Sequence, residues 1–270
     1  MNKIALRVSS SIVNFRLKAE KTWGLERYKW PQDIFKKVCF FGMYHIGDYF
    51  HFIRHLGPKT IVWAGSDISN LFKNILPWEI LFKKATHYCE NELERQELRL
   101  KGIKARVRPT FLEEVSDFPV CFESTEKPQV YLSARPNREK EYGVELIQRI
   151  APKVPEVTFH IFGFDALFLK QADNIIYEGN VSEEQFNSDI KNYQCGLRPL
   201  EHDGFSEILA KSILMGQYPI SRIKYPKIDS YKTEEELVIL LKDLKNKKEP
   251  NYKAREFWIK NLNDFPFIKH

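Results

Sequence analysis

The stretch CGLRPLEHDGFSEILAKSILMGQYPI, residues 195–220, decides the fold. Residues 193–197 are typical of a buried strand, residues 198–204 form a polar turn, and residues 208–214 carry the apolar stripe of a helix. A turn after the carboxyl end of a strand leaves backbone N–H groups free at the start of the next helix, where they suit a phosphate. The stretch therefore predicts an α/β fold that handles a phosphorylated small molecule such as a nucleotide. An ordinary strand–turn–helix unit without a ligand gives the same pattern.

Strands and helices alternate through both halves of the chain. Up to residue 108 the pattern predicts elements at 38–43, 48–56, 60–64, 90–101 and 104–108. Further along it predicts elements at 129–133, 139–150, 157–162, 174–178 and 183–191, and a capping box from Thr233 to Glu236. Such alternation is typical of parallel sheets with right-handed crossovers.

The acidic, proline-bearing residues 112–128 interrupt this alternation and predict a domain boundary near residue 122. We expect one Rossmann-like domain at 1–122 and a second at 123–270, with 251–270 packing back on the first. Two such domains create a cleft between their carboxyl edges, a common place for a small-molecule site. The spacing at residues 3–21 fits an amphipathic helix, while the alternation at residues 4–8 also fits a short strand.

Composition narrows the class of protein. The chain has 270 residues, 43% of them hydrophobic, and a net charge of +6. No run reaches the ~20 apolar residues of a membrane span, and the N-terminus lacks the apolar core of a signal peptide. The four cysteines form no CxxC pair, which favours reduced thiols in the cytoplasm. The basic excess at 3–29 and 242–260 fits an anionic membrane surface, nucleic acid or a solvated surface.

Three cations stand at the end of the strand at 129–133: Arg135, Arg138 and Lys140. If their turn faces the cleft, Arg135 can bind a pyrophosphate as a two-pronged fork while Lys140 meets it as a compact charge. A solvated turn with helix-surface charges is the alternative interpretation.

With these residues in place, the chain resembles the GT-B retaining glycosyltransferases of the family-four type. The resemblance covers residues 38–265 and is most specific from 129 to 220. It implies two Rossmann-like domains whose parallel sheets face a central cleft. It also implies that Arg135 and Lys140 hold the donor diphosphate, and that Asp203 contacts the transferred sugar. These three residues are the predicted catalytic set.

The resemblance also implies a donor-binding set. Gly163 ends the second strand, and Asn180 and Val181 belong to a G-x-V-x-x-E-E segment beside the nucleotide base. The remaining predicted donor-binding residues are Arg138, Arg198, His202, Gly204, Phe205, Ser206, Glu207 and Lys211. Lys211 departs from the family, which has an acidic residue there that grips the donor ribose.

The acceptor side resembles the family more loosely. The predicted residues come from the loops at 42–48 and 64–67: Tyr44, His45, Asp48, Gly65, Ser66 and Asp67. A histidine that positions the donor sugar in many members has no counterpart, because Trp63 or Ala64 stands at its place.

Asp48, His51 and His55 share one face of a predicted helix. This spacing fits a metal triad, an acceptor-site base with Asp48 orienting His51, or a plain polar helix face. The polar face is the preferred interpretation, so no metal and no cofactor is expected beyond the nucleotide-sugar substrate.

The resulting hypothesis is a retaining hexosyltransferase that moves a sugar from a nucleotide-sugar to an acceptor hydroxyl in cell-surface glycan or glycolipid synthesis. Its expected location is the cytoplasm, peripherally at the inner membrane face. One alternative is a non-catalytic sugar-nucleotide-binding or partner subunit, motivated by Lys211 and the missing histidine. Another is a glycosyltransferase with a nucleic-acid acceptor, suggested by the basic ends.

Overall fold

The computed structural model describes residues 4–73, 82–163 and 172–268. Its contacts divide the chain into two compact units. The first unit comprises the chain up to Glu114, the segment His202–Phe205 and the residues from Asn261 onward; the second comprises Val115–Glu201 and Ser206–Lys260. The domain boundary that the sequence predicts near residue 122 stays a prediction.

The first unit contains a six-stranded sheet in which every neighbouring pair is parallel. The strand order is β2-β1-β3-β4-β5-β6. The strands are β1 (Ala5–Val8), β2 (Glu26–Arg27), β3 (Val38–Phe41), β4 (Lys59–Val62), β5 (Thr86–Cys89) and β6 (Ala105–Val107). The helices described in this unit are α1 (Arg16–Trp23), α2 (Ile46–Arg54), α3 (Ser66–Lys73) and α4 (Glu92–Leu100).

Both faces of this sheet are covered by apolar side chains. Val38 and Phe40 of β3 belong to one buried cluster, while the alternating Cys39 and Phe41 belong to another. Successive side chains of a strand point to opposite faces, so a strand covered on both sides reads as a continuous apolar run. This explains why VCFF is apolar at every position.

The structure settles the open choice at the N-terminus in favour of a strand followed by a helix. Residues 5–8 form β1, which pairs with both β2 and β3. The apolar spacing that suggested a helix belongs to the following 3-10 segment Ser10–Phe15 and to α1. Gly24, with φ of 62°, ends α1 in the left-handed conformation that glycine adopts readily.

The second unit contains another parallel six-stranded sheet, in the order β12-β11-β10-β7-β8-β9. Its strands are β7 (Gln129–Ser133), β8 (Thr158–Phe162), β9 (Ile175–Gly179), β10 (Cys195–Arg198), β11 (Ile220–Ser221) and β12 (Asp229–Ser230). Its helices are α5 (Val144–Ile150), α6 (Glu183–Asp189), α7 (Glu207–Leu214), α8 (Glu234–Asp243) and α9 (Tyr252–Asn261). One large buried cluster, including Val130, Leu132, Ile147 and Leu197, forms the core.

Several elements differ from the predictions, and β2, β12, α3 and α9 have no counterpart among them. The predicted helix at 139–150 begins only at Val144, because Asn137 and Gly143 have φ of 63° and 79° and the residues between them form turns. The strand β5 was missed, since THYC is short and half polar. The capping box at Thr233 is confirmed: its hydroxyl accepts a hydrogen bond from the Glu236 N–H.

The predicted α/β class with parallel sheets is confirmed. Among the described helices, none has the length and apolarity needed to cross a membrane. In each sheet the chain reverses its direction of progress once, between β1 and β3 in the first unit and between β7 and β10 in the second. Such switch points place ligands outside the carboxyl ends of the strands in open α/β sheets.

Candidate functional site

The switch point of the second unit lies between two loops that carry cations. Arg135 follows β7 by two residues, and Arg198 is the last residue of β10. The strands β7 and β10 are direct neighbours in the sheet, with Cys195 opposite Val130. The predicted cationic positions therefore stand at adjacent strand ends.

Close packing holds these two loops together. The guanidinium carbons of Arg198 and Arg138 lie 5.1 Å and 5.6 Å from the centre of the Tyr142 ring. A Cβ atom on Gly143 would come within 2.4 Å of the Pro199 ring, so this approach requires glycine. The loop after β7 is thereby fixed against the loop after β10.

The three cations of the first loop differ in their surroundings. Arg138 forms an ion pair with Glu141, three residues further along. Arg135 and Lys140 are exposed, and neither side chain pairs with an acid in the described part of the chain. Arg135 and Lys140 are thus the cations of this loop that remain available for an anionic ligand.

The remaining predicted strand ends of the second unit meet at the same edge. The N–H of Gly163 donates to the Gly179 carbonyl over 2.8 Å, which joins the ends of β8 and β9. Gly163 has φ of 105°, and a Cβ there would come within 2.2 Å of the Ala134 carbonyl oxygen. Asn180 and Val181 follow β9 directly, with Asn180 exposed.

The helix α7 begins at the predicted position. Ser206 is its N-cap, and the Ser206 hydroxyl accepts a hydrogen bond from the Ile208 N–H at 3.3 Å. Glu207 is the first residue of the helix. The start of α7 thus combines a side-chain cap with the positive end of the helix dipole.

Lys211, the departure from the family pattern, is buried within the second unit. Its ammonium donates to Asn187 Oδ1 at 2.9 Å and lies 3.9 Å from Glu183 Oε1. The rings of Phe118 and Phe186 are each 5.5 Å from the ammonium. Lys211 therefore links α7 to α6 through contacts with both polar and aromatic groups.

In the first unit, Asp48 organises the switch point between β1 and β3. Its carboxylate accepts hydrogen bonds from the Arg7 guanidinium at 2.6 Å and the Ser9 hydroxyl at 2.7 Å. It also accepts the backbone N–H groups of Tyr44 and His45, each at 3.0 Å. Asp48 is 2% exposed, so its acceptor capacity is used to hold the 42–48 loop.

Of the two histidines in the candidate metal triad, His55 at the end of α2 has other hydrogen-bond partners. The Nε2 of His55 donates to the Lys36 carbonyl at 2.9 Å, and its Nδ1 accepts from the Tyr28 hydroxyl at 3.2 Å. Within the described residues no group of three potential ligands can hold a metal ion. Burial and the nearby Arg7 lower the pKa of His51, and its Nδ1 is buried without a hydrogen-bond partner among the described residues.

The neighbouring loop of the first unit is organised by Asp67. Its carboxylate accepts the N–H groups of Met43 at 3.0 Å and of Ala64 at 3.1 Å. Burial raises the pKa of Asp67 to about 7, against the lowering effect of these hydrogen bonds. The Tyr44 hydroxyl donates to the Ala64 carbonyl, while Ser66 at the start of α3 is exposed.

Trp63, at the place of the family's histidine, belongs to the core. It is fully buried, and its indole N–H donates to Nδ1 of His87 at 3.2 Å. Burial lowers the pKa of His87. Neither ring is on the surface of the unit.

Sequence reasoning missed two buried acids that hold the same edge of the sheet. Glu94 accepts the Gly65 N–H at 2.9 Å and the Glu90 N–H at 2.6 Å. Asn91 caps α4 by accepting the Glu94 N–H at 2.9 Å. The sequence N-E-L-E, an N-cap residue followed three positions later by Glu, is a local pattern that indicates this helix start. Burial and the neighbouring Glu90 raise the pKa of Glu94 well above its usual value.

The segment His202–Phe205 packs on these acids within the first unit. The Phe205 N–H donates to Glu90 Oε2 at 2.9 Å, and the Asn91 amide donates to the Asp203 carbonyl at 2.8 Å. A Cβ on Gly204 would come within 1.8 Å of Glu90 Oε2, so a larger residue would displace the Glu90 carboxylate. The predicted phosphate-binding N–H of Phe205 is thus engaged by a carboxylate, with which a phosphate oxygen would have to compete.

Two further contacts complete this segment. Nε2 of His202 lies 2.9 Å from Glu97 Oε2. The Thr110 hydroxyl donates to the second oxygen of Glu90. Burial raises the pKa of Glu90 to about 8, against the lowering effect of its hydrogen bonds from Thr110 and Phe205. The segment therefore rests on a carboxyl group whose protonated form the fold favours.

No family model and no curated protein matches the chain. Solved structures do match it. Lipopolysaccharide outer core galactosyltransferase WaaB, in its apo form, has a TM-score of 0.61 at 14% identity, covering 96% of this chain and 79% of that one. S. aureus TarM in a complex containing UDP has a TM-score of 0.58 at 15% identity, covering 83% and 52%. Pneumococcal O-GlcNAc transferase GtfA, in complex with UDP and GlcNAc, has a TM-score of 0.58 at 14% identity, covering 83% of this chain and 54% of that one.

At identities this low the likeness shows the fold, and the fold is GT-B. The predicted resemblance to GT-B proteins is thereby confirmed at the level of architecture. The chain spans about half of the length of TarM and of GtfA.

Proposed function

We propose that this protein is a hexosyltransferase that moves a sugar, with retention of configuration, from a nucleotide-sugar to an acceptor hydroxyl. The observation that carries the proposal is the switch point of the second unit. There Arg135 and Lys140 are exposed beside Arg198, at the ends of two adjacent strands. This arrangement fits a diphosphate at the place where open α/β sheets bind their ligands.

The chemistry follows from the charge that the reaction creates. Breaking the bond between the sugar's anomeric carbon and the diphosphate leaves negative charge on the phosphate oxygens. Arg135 and Lys140 would stabilise that charge, each by ~3 kcal/mol in the transition state. Asp203 would contact the transferred sugar, as the family resemblance implies. The N-terminus of α7 at Ser206 would add the favourable end of its dipole.

The acceptor hydroxyl would be bound by the 42–48 and 64–67 loops. Asp48 and Asp67 hold these loops through backbone N–H groups, which gives an acceptor a fixed surface. A cell-surface glycan or glycolipid is the proposed acceptor class. The four cysteines are all free thiols, which favours the cytoplasm as the compartment.

A thermal-shift experiment tests donor binding, because a ligand that binds the folded state stabilises it by mass action. UDP and UDP-sugars are the first probes, since UDP is bound in the TarM and GtfA structures. Arg135→Ala should weaken binding by about ten- to a hundredfold, the loss expected for a charge-assisted hydrogen bond, and should abolish the shift at a donor concentration near the dissociation constant of the parent protein. Its melting temperature without ligand should stay unchanged, since Arg135 is exposed.

Arg99→Ala is the matched control, because Arg99 is an exposed arginine on α4. It should keep the full donor-induced shift. An Arg135→Ala variant that still responds to donor as strongly as the parent protein would contradict the proposed diphosphate site.

A non-catalytic sugar-nucleotide binder is the second candidate, and Lys211 favours it. A cation buried beside Asn187 and Phe186 cannot accept hydrogen bonds from ribose hydroxyls. Donor binding without hydrolysis or transfer across donors would support this candidate. A nucleic-acid acceptor is the third hypothesis, and duplex binding that falls steeply with salt would support it.

A further inference from the structure

Six of the large apolar side chains on the surface of the first unit come from residues 30–56: Trp30, Phe35, Ile46, Phe50, Ile53 and Leu56. Their exposed fractions range from 39% to 76%. We call this set the apolar patch. Ile46, Phe50 and Ile53 follow each other at helical spacings on α2, opposite the buried Tyr49 and Phe52. The helix therefore has an apolar face on each side.

Contacts show that the patch is one surface built from two segments. The centre of the Trp30 ring lies 6.1 Å from that of the His51 ring, which in turn lies 6.3 Å from that of the Phe50 ring. The Leu56 N–H donates to the Ile34 carbonyl at 2.9 Å, which brings Phe35 next to the end of α2. Single exposed apolar residues are common on soluble proteins, but a contiguous group of this kind marks an interaction surface.

The charges around the patch are predominantly positive. Residues 26–59 contain six basic and three acidic side chains. Two of the acids, Asp33 and Asp48, are buried and paired with Lys36 and Arg7. The exposed cations of this region are Arg27, Lys29, Lys36, Lys37 and Arg54.

One cation stands directly on the patch. The guanidinium carbon of Arg54 lies 3.7 Å from the centre of the Phe50 ring. An aromatic ring with a cation stacked on it suits the boundary between lipid headgroups and acyl chains. There the ring can contact the acyl chains while the cation contacts the headgroups.

We propose that the apolar patch docks on an anionic lipid surface. The face of α2 with Phe50 and Ile53 would enter the boundary between headgroups and acyl chains. The flanking lysines and arginines would meet the anionic headgroups. A second copy of this chain fits less well, because symmetric pairing of the patch would set cations against cations. The inference stands independently of glycosyl transfer.

Vesicle flotation tests the proposal on the full chain. The protein should float with vesicles of phosphatidylcholine and phosphatidylglycerol, and bind vesicles of phosphatidylcholine alone at least about tenfold more weakly, since near the surface each cation contributes about fivefold. Phe50→Ser with Ile53→Ser should reduce partitioning to the anionic vesicles by at least about tenfold, because both side chains lose their burial in lipid.

The matched control is Leu100→Ser with Ile239→Ser, which removes two apolar side chains elsewhere in the chain that are even more exposed than Phe50 and Ile53. It should float as the parent protein does. Phe35→Ser tests the second segment independently of α2. Unchanged melting temperatures show that each variant is folded.

Lys29→Gln with Lys37→Gln should weaken binding to anionic vesicles by more than tenfold at low salt and have little effect at high salt. Equal binding to neutral and anionic vesicles would overturn the proposal, as would no binding to either. A dimer in light scattering that Phe50→Ser with Ile53→Ser dissociates would overturn it in favour of a second copy.

Discussion

At the scale of residues, the first unit buries three carboxyl groups that form no ion pair with another described residue. Asp67, Glu90 and Glu94 each accept backbone N–H groups at the carboxyl edge of the sheet. Burial disfavours the charged form, so the fold raises the pKa of all three. These groups bind the loops at 42–48, 64–67 and 202–205 into one framework.

This arrangement predicts that the free energy of unfolding depends on pH. Glu90→Gln should make that dependence weaker. Burial raises the pKa of Glu90 from 4.5 to about 8, so the folded chain binds this proton more tightly than the unfolded chain. The stabilisation is complete below about pH 4.5 and is lost as the pH rises through about 8. Glutamine keeps an acceptor for the Phe205 N–H and cannot ionise. The unfolding free energy of Glu90→Gln should therefore fall less over this range.

Urea unfolding at a series of pH values measures the effect. Glu92→Gln is the control, because Glu92 is an exposed carboxylate on the same helix and should leave the pH profile unchanged. Asp67 and Glu94 still contribute to the pH dependence in the Glu90→Gln variant. The unfolding free energy should therefore change less steeply with pH, but the dependence should not vanish. Profiles of Glu90→Gln and the parent protein that run parallel would contradict this account.

At the scale of elements, the start of α2 depends on a buried anion more than on helix propensity. Asp48 connects Arg7 and Ser9, at the end of β1, with the backbone N–H groups that precede the helix. An acid in the first turn also faces the positive end of the helix dipole. Strand, loop and helix are thereby joined through one carboxylate.

Asp48→Asn should therefore destabilise the protein by about 3 kcal/mol, because it leaves the Arg7 guanidinium without its counter-ion and turns an amide donor towards other donors. Chemical denaturation measures the loss. Asp173→Asn, at an exposed position in a turn, should change stability by less than about 0.5 kcal/mol. A loss in Asp48→Asn no larger than in this control would show that Asp48 carries no structural role.

At the scale of the whole molecule, each unit has its own apolar core and its own buried thiols. Cys39 and Cys89 lie in the first unit and Cys195 in the second, all fully buried. Burial raises the pKa of each of these thiols. Cys121 is only half-buried. Because the thiolate is the reactive form, accessibility and pKa together decide which cysteine reacts.

Alkylation with iodoacetamide under native conditions should label Cys121 first. The three buried thiols should react only at the rate at which their own unit opens. Peptide mass spectrometry assigns the labelled cysteine at each time. Cys121→Ser should have no fast-labelled thiol. Rapid native labelling of Cys39, Cys89 or Cys195 would contradict the packing described for that unit.

The positions of most strands and helices followed from the sequence, because periodicity and capping are local properties. The apolar runs gave β3, β7 and β10, and the capping pattern gave the start of α8. The cations at 135–140 could be placed at a strand end for the same reason. No knowledge of distant residues was needed.

Tertiary structure alone decided which distant residues meet. Glu90 and Phe205 are 115 positions apart, and nothing in either local stretch indicates their hydrogen bond. The short strand β5 exists because β4 and β6 pair on either side of it. Likewise, the spacing of the apolar residues in α2 is typical of a helix face that packs in the core. Only the tertiary structure shows that Phe50 and Ile53 stay on the surface while Tyr49 and Phe52 are buried. Local patterns fix backbone conformation, whereas burial and pairing depend on what the rest of the chain brings alongside.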